Sequence, residues 1–263
     1  MLNGSHNLPR MKTTLISVTL IHRFLRRSAL PFLLVAMVGA CANGPHETGV
    51  NDPNEAGNRR VHAFNKSLDK AILKPLSSSL GSGGGGVVSR GIGNFASNLA
   101  LPGVIVNDAL QANVQDAFSN TFRFTVNSTI GIGGLFDVAT ANGLAERPTD
   151  FGETLYVWGV GEGAYVELPV LGPSTRRDAV GTVVDFIIDP LNYLLPAKQR
   201  HIGTVAKLAA RVGDRAHFAS TVDSILYESA DSYAQARLLY LQSRRAKLYG
   251  GVMEEDLEDP YAE

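Results

Sequence analysis

Apolar residues return every three or four positions along much of this chain, the spacing that places them on one face of an α-helix. From Asn58 to Leu73 the stripe is Val61, Phe64, Leu68, Ala71 and Ile72, and Pro75 ends it. Asn51-Asp52-Pro53 ahead of it is a turn and helix entry, with Asp52 as a capping candidate. Asn94 to Gln111 reads as short helices joined at Pro102, and Val114 to Val126 as a further helix with Val114, Ala117, Phe118, Phe122 and Val126 near one face. The glycines of Gly131-Ile132-Gly133-Gly134 stop that helix and permit close backbone approach. Residues 150–173 are the least helical. Trp158-Gly159-Val160-Gly161-Glu162-Gly163 carries glycine at every second position, a bent, mobile loop or a weak hairpin. Helical spacing resumes over Asp178–Ile188. In the last third, Phe218, Val222, Ile225, Leu226, Tyr233, Leu238 and Leu241 make one stripe, and Arg237, Arg244, Arg245 and Lys247 sit near its C-terminal end, where the helix dipole favours cations. The fold class is mainly α, and the chain carries no internal repeat.

Two segments break the pattern. Ser77 to Gly86 is a Ser/Gly-rich loop, and no Gly-Lys-Ser/Thr follows to make it a phosphate cradle. At the other extreme, Ala29 to Gly39 is an unbroken apolar run behind Arg23, Arg26 and Arg27, and it ends at Ala40-Cys41. A basic start, an apolar centre and small residues before a cut make a secretory signal. The run is shorter than the roughly 20 residues of a membrane span. Val38-Gly39-Ala40-Cys41 resembles the lipobox of bacterial lipoproteins, in which the cysteine is acylated and becomes the first mature residue. Met11, followed by Lys12, is a candidate alternative start. The expected organisation is a signal over 1–40, a lipidated tether over 41–50, one domain over 51–250 and an acidic, disordered tail over 251–263.

Cleavage changes the charge balance. The leader holds five of the 24 basic side chains and none of the 25 acidic ones, so the mature chain carries a net −6. That is no footprint for nucleic acid and no basis for electrostatic docking on anionic headgroups. Cys41 is the sole cysteine, so no disulfide within the chain is available. No mature stretch of 18 residues is free of charge, so no single transmembrane helix is expected. Membrane contact then falls to the anchor and to amphipathic elements lying in one leaflet.

Catalytic signals are sparse. His46, His62, His201 and His217 show no metal-ligand spacing and read as surface or capping residues. There is no Gly-x-Ser-x-Gly elbow. Asp185 and Asp189 share a helix face, read as a solvated one. Asp150, Glu153 and Asp178, near Arg176 and Arg177, read as caps and ion-pair partners.

A series of motifs in fixed order resembles the MlaA/VacJ family of outer-membrane phospholipid-transport lipoproteins. They are Asn51-Asp52-Pro53-Asn54-Glu55, Asn58-Arg59, Phe64-Asn65, Asn94-Phe95-Ala96-Ser97-Asn98-Leu99, Pro102, Arg123-Phe124, Gly131-Ile132-Gly133-Gly134-Leu135-Phe136-Asp137, Asp150-Phe151-Gly152-Glu153, Leu168-Pro169, Leu171-Gly172-Pro173 and Arg177-Asp178. The family usually has Gly-Pro-Tyr where this chain has Gly163-Ala164-Tyr165.

The resemblance implies a helical, ring-like body in the inner leaflet of the outer membrane. It further implies an amphipathic channel for phospholipid, a periplasmic MlaC-type carrier, a trimeric porin partner, no catalysis and no cofactor. Gly159, Gly161, Gly163 and Tyr165 are the candidate channel or gating loop. Asn94, Phe95, Asn98, Gly131, Gly133, Gly134, Asp137, Pro169, Gly172, Pro173, Arg177 and Asp178 are candidate structural positions. Two alternatives are a membrane-anchored phospholipid hydrolase and a structural tether.

Overall fold

The computed structural model describes residues 50–79, 86–194, 196 and 201–249. Cys41, the leader, most of the Ser/Gly loop and the acidic tail lie outside the described residues. The described chain is mainly helical: α1 (Glu55–Leu68), a π-helical turn (Asp69–Leu73), α2 (Lys74–Ser79), α3 (Val87–Leu110), α4 (Val114–Thr129), α5 (Val138–Ala141) and α6 (Phe151–Val157). A hairpin, β1 (Tyr165–Leu168) and β2 (Gly172–Thr175), follows. After it come α7 (Arg176–Ile188), α8 (Leu191–Leu194), α9 (His201–His217), α10 (Ala219–Asp223), a second π-helical turn (Ser224–Glu228) and α11 (Ser232–Leu248). Among the described residues no helix is long and apolar enough to cross a membrane.

Local chemistry sets the helix starts. Asn113, Asp137, Asp150, Thr175 and Asp231 each accept an amide from the first turn of the following helix, which satisfies donors with no partner inside it. Helix α3 differs from the expected short pieces. It runs through Pro102, which merely lacks the amide of one helical bond, and packing against both α4 and α9 holds it continuous. The segment read as least helical also contains α6, started by Asp150.

α6 and α7 cross backbone to backbone. A Cβ at Gly181 would lie 2.4 Å from the Gly152 amide nitrogen, so only glycine permits this approach.

The hairpin is antiparallel, in register from Tyr165↔Thr175 to Leu168↔Gly172. Asn58 extends it from α1: its Nδ2 donates to Tyr165 O (3.2 Å) and its Oδ1 accepts from Glu167 N (3.1 Å). Tyr165, Tyr233 and Leu241, flanked by Tyr240, form an apolar cluster that joins the hairpin to α11. The C-terminal stripe is interrupted by the second π-helical turn. Tyr233 and Leu241 are buried while Phe218 and Leu238 face outward.

Candidate functional site: a polar interior and an apolar exterior

Helix α4 carries its polarity inverted. Val114, Phe118 and Phe122, spaced by four, point outward, with Phe118 78% exposed. Asn120, Arg123 and Asn127 point inward and are at most 4% exposed. Asn120 Nδ2 donates to Asp108 (2.8 Å) and to Arg147 O (3.1 Å). Arg123 pairs with Asp137 at 3.1 Å and donates to Thr140 and Leu144 O. Asn127 donates to Asp137 (3.0 Å) and accepts from Ala139 N (2.9 Å). Buried polar groups must find partners; each of these three side chains has at least two, although Asn120 Oδ1 and Arg123 Nε are left without one. Helix α7 repeats the arrangement, with Arg177 and Asp178 buried and Val183 and Phe186 exposed. In water each such exposed side chain forgoes about 1.5–3 kcal/mol of burial. Against hydrocarbon that loss disappears.

Asp137 caps α5 and fixes the glycine turn before it. Burial opposes its charge, but Thr140, Asn127 and Arg123 outweigh burial and hold its carboxyl below the usual range. Gly134 adopts φ +95°, and a Cβ there would lie 2.4 Å from Asn98 Cβ. Asn98 in turn donates to Ser128 (3.0 Å) and to Gly133 O (3.2 Å), and Asn94 donates to Leu135 O (3.2 Å). Asn94, Asn98, Gly131, Gly133, Gly134 and Asp137 are therefore gathered where α3 meets the end of α4. Phe95 lies half-buried on α3.

A second polar cluster ties α11 to the body. Arg244 reaches both Asp150 (2.7 Å) and Asp178 (3.0 Å), and Tyr240 donates to Asp178 (2.7 Å). Arg177 adds a contact to Asp178 at 3.2 Å. Burial would raise both carboxyls, and the Arg244 guanidinium outweighs it and holds both below the ordinary value. Further along, Arg245 grips Glu162 (2.8 Å) and Lys247 meets Glu153 (3.0 Å). Near the start of α11, Tyr233 and Arg237 both contact Asp52. The basic residues assigned to the helix dipole thus pair with carboxylates of the body. The partner shared by Asp150 and Asp178 is Arg244, about 66 residues beyond Asp178 in the chain and absent from any local pattern.

Glu162 anchors the alternating-glycine loop. Gly159 and Gly163 take φ +85° and +71°. Val160 N bonds Leu155 O (2.9 Å) and Arg177 N bonds Glu162 O (3.3 Å). Tyr165, placed in the same candidate group, is buried beneath the loop, and its hydroxyl donates to Glu167. Burial and the Glu167 carboxylate push its pKa far above the usual phenol value. Pro169, Gly172 and Pro173 flank a turn in which Val170 takes φ +68°, a position costly for a β-branched residue. That turn is held by Asn65, which accepts from Val170 N (2.8 Å), and by Arg211, which donates to Val170 O (3.2 Å).

Beside the turn lies a cavity of about 240 Å³ lined by Leu168, Leu171, Thr182, Asp185, Arg211 and Arg244, among others. Its lining combines apolar and charged side chains. Asp185 does not sit on a solvated face. It accepts from Asn107 Nδ2 (2.8 Å) and from Phe151 N (3.1 Å), while Asp189 caps the end of α7.

His62 also departs from the surface reading. It is buried between Glu167 (3.3 Å from Nδ1) and Ser232 (3.1 Å from Nε2). Sequence spacing held no trace of this alignment, because the three residues come from α1, β1 and α11. Among the described residues no group of acidic, histidine or cysteine side chains is arranged to hold a metal.

A helical body with buried charge and exposed aromatic and aliphatic faces belongs to the class of proteins that present an apolar exterior around a polar interior. The profile of the MlaA lipoprotein family matches residues 50–247, and the chain belongs to that family. It is 33% identical over 245 residues to the intermembrane phospholipid transport system lipoprotein MlaA of Escherichia coli, covering 91% of this chain and 94% of that one. An uncharacterised Rickettsia bellii protein is 34% identical over 207 residues, 78% of this chain and 79% of its own. A chain solved in work on the structural basis for maintenance of bacterial outer membrane lipid asymmetry superposes with a TM-score of 0.61 at 32% identity, over 75% of this chain and 98% of that one.

Proposed function

We infer that this protein is the outer-membrane lipoprotein of an intermembrane phospholipid transport system, anchored through Cys41 and seated in the periplasm-facing leaflet. It removes phospholipids that have strayed into the outer leaflet and passes them to a periplasmic MlaC-type carrier, beside a trimeric porin. The observation that carries this reading is the inverted polarity of α4 and α7: apolar side chains outward, buried polar and charged side chains inward. A phospholipid leaving a bilayer through water loses about 0.8 kcal/mol for each methylene exposed. A conduit needs apolar surface for the chains and polar groups for the headgroup, and the cavity beside Leu171 and Arg211 offers both. The relatives named for this transport system and the family match support the same reading.

The loop of Gly159, Gly161 and Gly163 is proposed as the gate of that conduit, with Arg245 on Glu162 setting its position. No residue is assigned a catalytic role. The hydrolase alternative rests on one observation, the alignment of Ser232, His62 and Glu167, which has the order of nucleophile, base and orienting acid.

One experiment separates the readings. The protein is purified in detergent from cells and its bound lipid analysed by mass spectrometry, for the native chain and for Ser232→Ala. Intact diacyl phospholipid in both supports transport. Lysophospholipid or free fatty acid from the native chain alone establishes the hydrolase. Absence of lipid from both leaves only the tether.

A further inference from the structure

A second cavity, of about 630 Å³, lies apart from the one beside the hairpin turn, between the first turns of α3 and the segment that runs from the glycine turn into α5. Its walls are apolar: Val87, Ile92, Leu135, Phe136 and Val138. Arg90 stands at its edge, exposed, with no side-chain hydrogen bond or ion pair among the described residues. Asp137 also borders the cavity, but its charge is matched by Arg123, Asn127 and Thr140. The free cation is thus the charge on offer.

The groove is continuous with the apolar exterior. Val87, Phe136, Ile130 and Ile132 are each more than half exposed, and the volume falls in the range of ligand clefts. An apolar trough with one cation at its rim complements a molecule that has a chain at one end and an anion at the other. A guanidinium binds phosphate oxygens through paired N–H donors while its stem packs on hydrocarbon.

We propose that this groove is a lateral docking site for a single glycerophospholipid, with one acyl chain between α3 and α5 and the phosphodiester on Arg90. The proposal rests on the transport reading and adds to it a place where lipid enters sideways from the leaflet, without crossing water. Arg90 is here a specificity residue, and Asn94, bonded to Leu135 O, keeps the groove's two walls together.

The test uses the full lipidated chain in vesicles of phosphatidylethanolamine that contain a phosphatidylglycerol with a diazirine in one acyl chain. After irradiation, cross-linked peptides are mapped and competition by unlabelled phosphatidylglycerol is measured. Cross-links are expected on the peptides of Ile92 and Val138. Arg90→Glu should weaken the competing lipid about tenfold, the cost of one charge-assisted contact, Arg90→Lys should retain most of it, and Ala141→Trp should abolish the groove cross-links by filling the trough. Cross-links confined to the outward face of Phe118 and Phe122, or unaltered by Arg90→Glu and Ala141→Trp, overturn the proposal, as does competition by lipid A that matches the phospholipid. Groove cross-links in a chain that cannot restore outer-membrane asymmetry to a deletion strain would instead remove the transport reading and leave the site standing.

Discussion

Arg244 ties three separate parts of the chain together, since it binds Asp150 at the start of α6 and Asp178 in the first turn of α7 from a helix near the C-terminus. Removing one member of a buried ion pair leaves a carboxylate without its counter-charge, which typically costs 3–5 kcal/mol. Arg244→Leu is therefore expected to lower the melting temperature in detergent by roughly 6–20 °C for a domain of this size, while Arg244→Lys, which cannot fork onto two carboxylates, loses less. A second residue-scale expectation concerns Gly134. Its positive φ and the 2.4 Å gap to Asn98 Cβ leave no room for a methyl group, so Gly134→Ala should destabilise by about 1–3 kcal/mol, read by thermal melting. Gly133 has a positive φ too but open space around it, so Gly133→Ala should cost less. If the two variants melt alike, backbone conformation and not close approach is the constraint at this turn.

Among the elements, α11 and α4 make opposite demands. Helix α11 is attached by charge: Asp52, Asp150 and Asp178 each have a carboxyl held below its ordinary value by tyrosine or arginine on this helix. Such groups add stability that is present above the unfolded-state carboxyl pKa of about 4 and is lost as pH falls through the lower folded values. Acidification below about pH 4 should then release α11 first. Hydrogen exchange of residues 232–248 should rise there before that of α3 does, and simultaneous exposure of both helices would contradict the latch. Helix α4 depends on its surroundings. Phe118→Lys and Phe122→Lys together place charges on a face the fold does not bury, so melting in detergent should shift little. Binding to vesicles by the chain without its acyl anchor should fall severalfold, since each apolar side chain contributes about 1.5–3 kcal/mol when removed from water.

For the molecule as a whole, the proposed function gives it two separate holds on the membrane, the acyl anchor and the apolar exterior, as stable attachment requires. Cys41→Ala should abolish acyl incorporation, measured with labelled palmitate, and should lower the membrane-bound fraction without abolishing it, because the exposed faces of α4 and α7 persist. Complete release into the soluble fraction would show that those faces do not meet lipid. The proposed gate belongs to this scale too. Gly161→Pro should alter the rate at which a deletion strain regains outer-leaflet asymmetry, assayed by outer-leaflet phospholipid labelling, with little change in melting temperature.

Local order was legible along the chain. Helical periodicity, the cap at Asp150, the stop at the glycine turn and the ordered motifs of the family are short-range properties, and each acts through neighbours within about one turn. The direction in which each helix faces was not legible. Periodicity shows that α4 has two faces but not which is covered, and the usual assumption of an apolar interior points the wrong way for Asn120, Arg123 and Asn127. Likewise no spacing relates Arg244 to Asp150 or brings Ser232 to His62, since contacts between distant segments depend on how the helices pack. Thus the amino-acid sequence by itself determined the helical class and the family, because these reside in nearest-neighbour chemistry. Only the tertiary structure decided that charge lies inside, that α11 is fastened by carboxylates and that an arginine-rimmed groove opens on the apolar surface, because burial belongs to the assembled fold and not to any one segment.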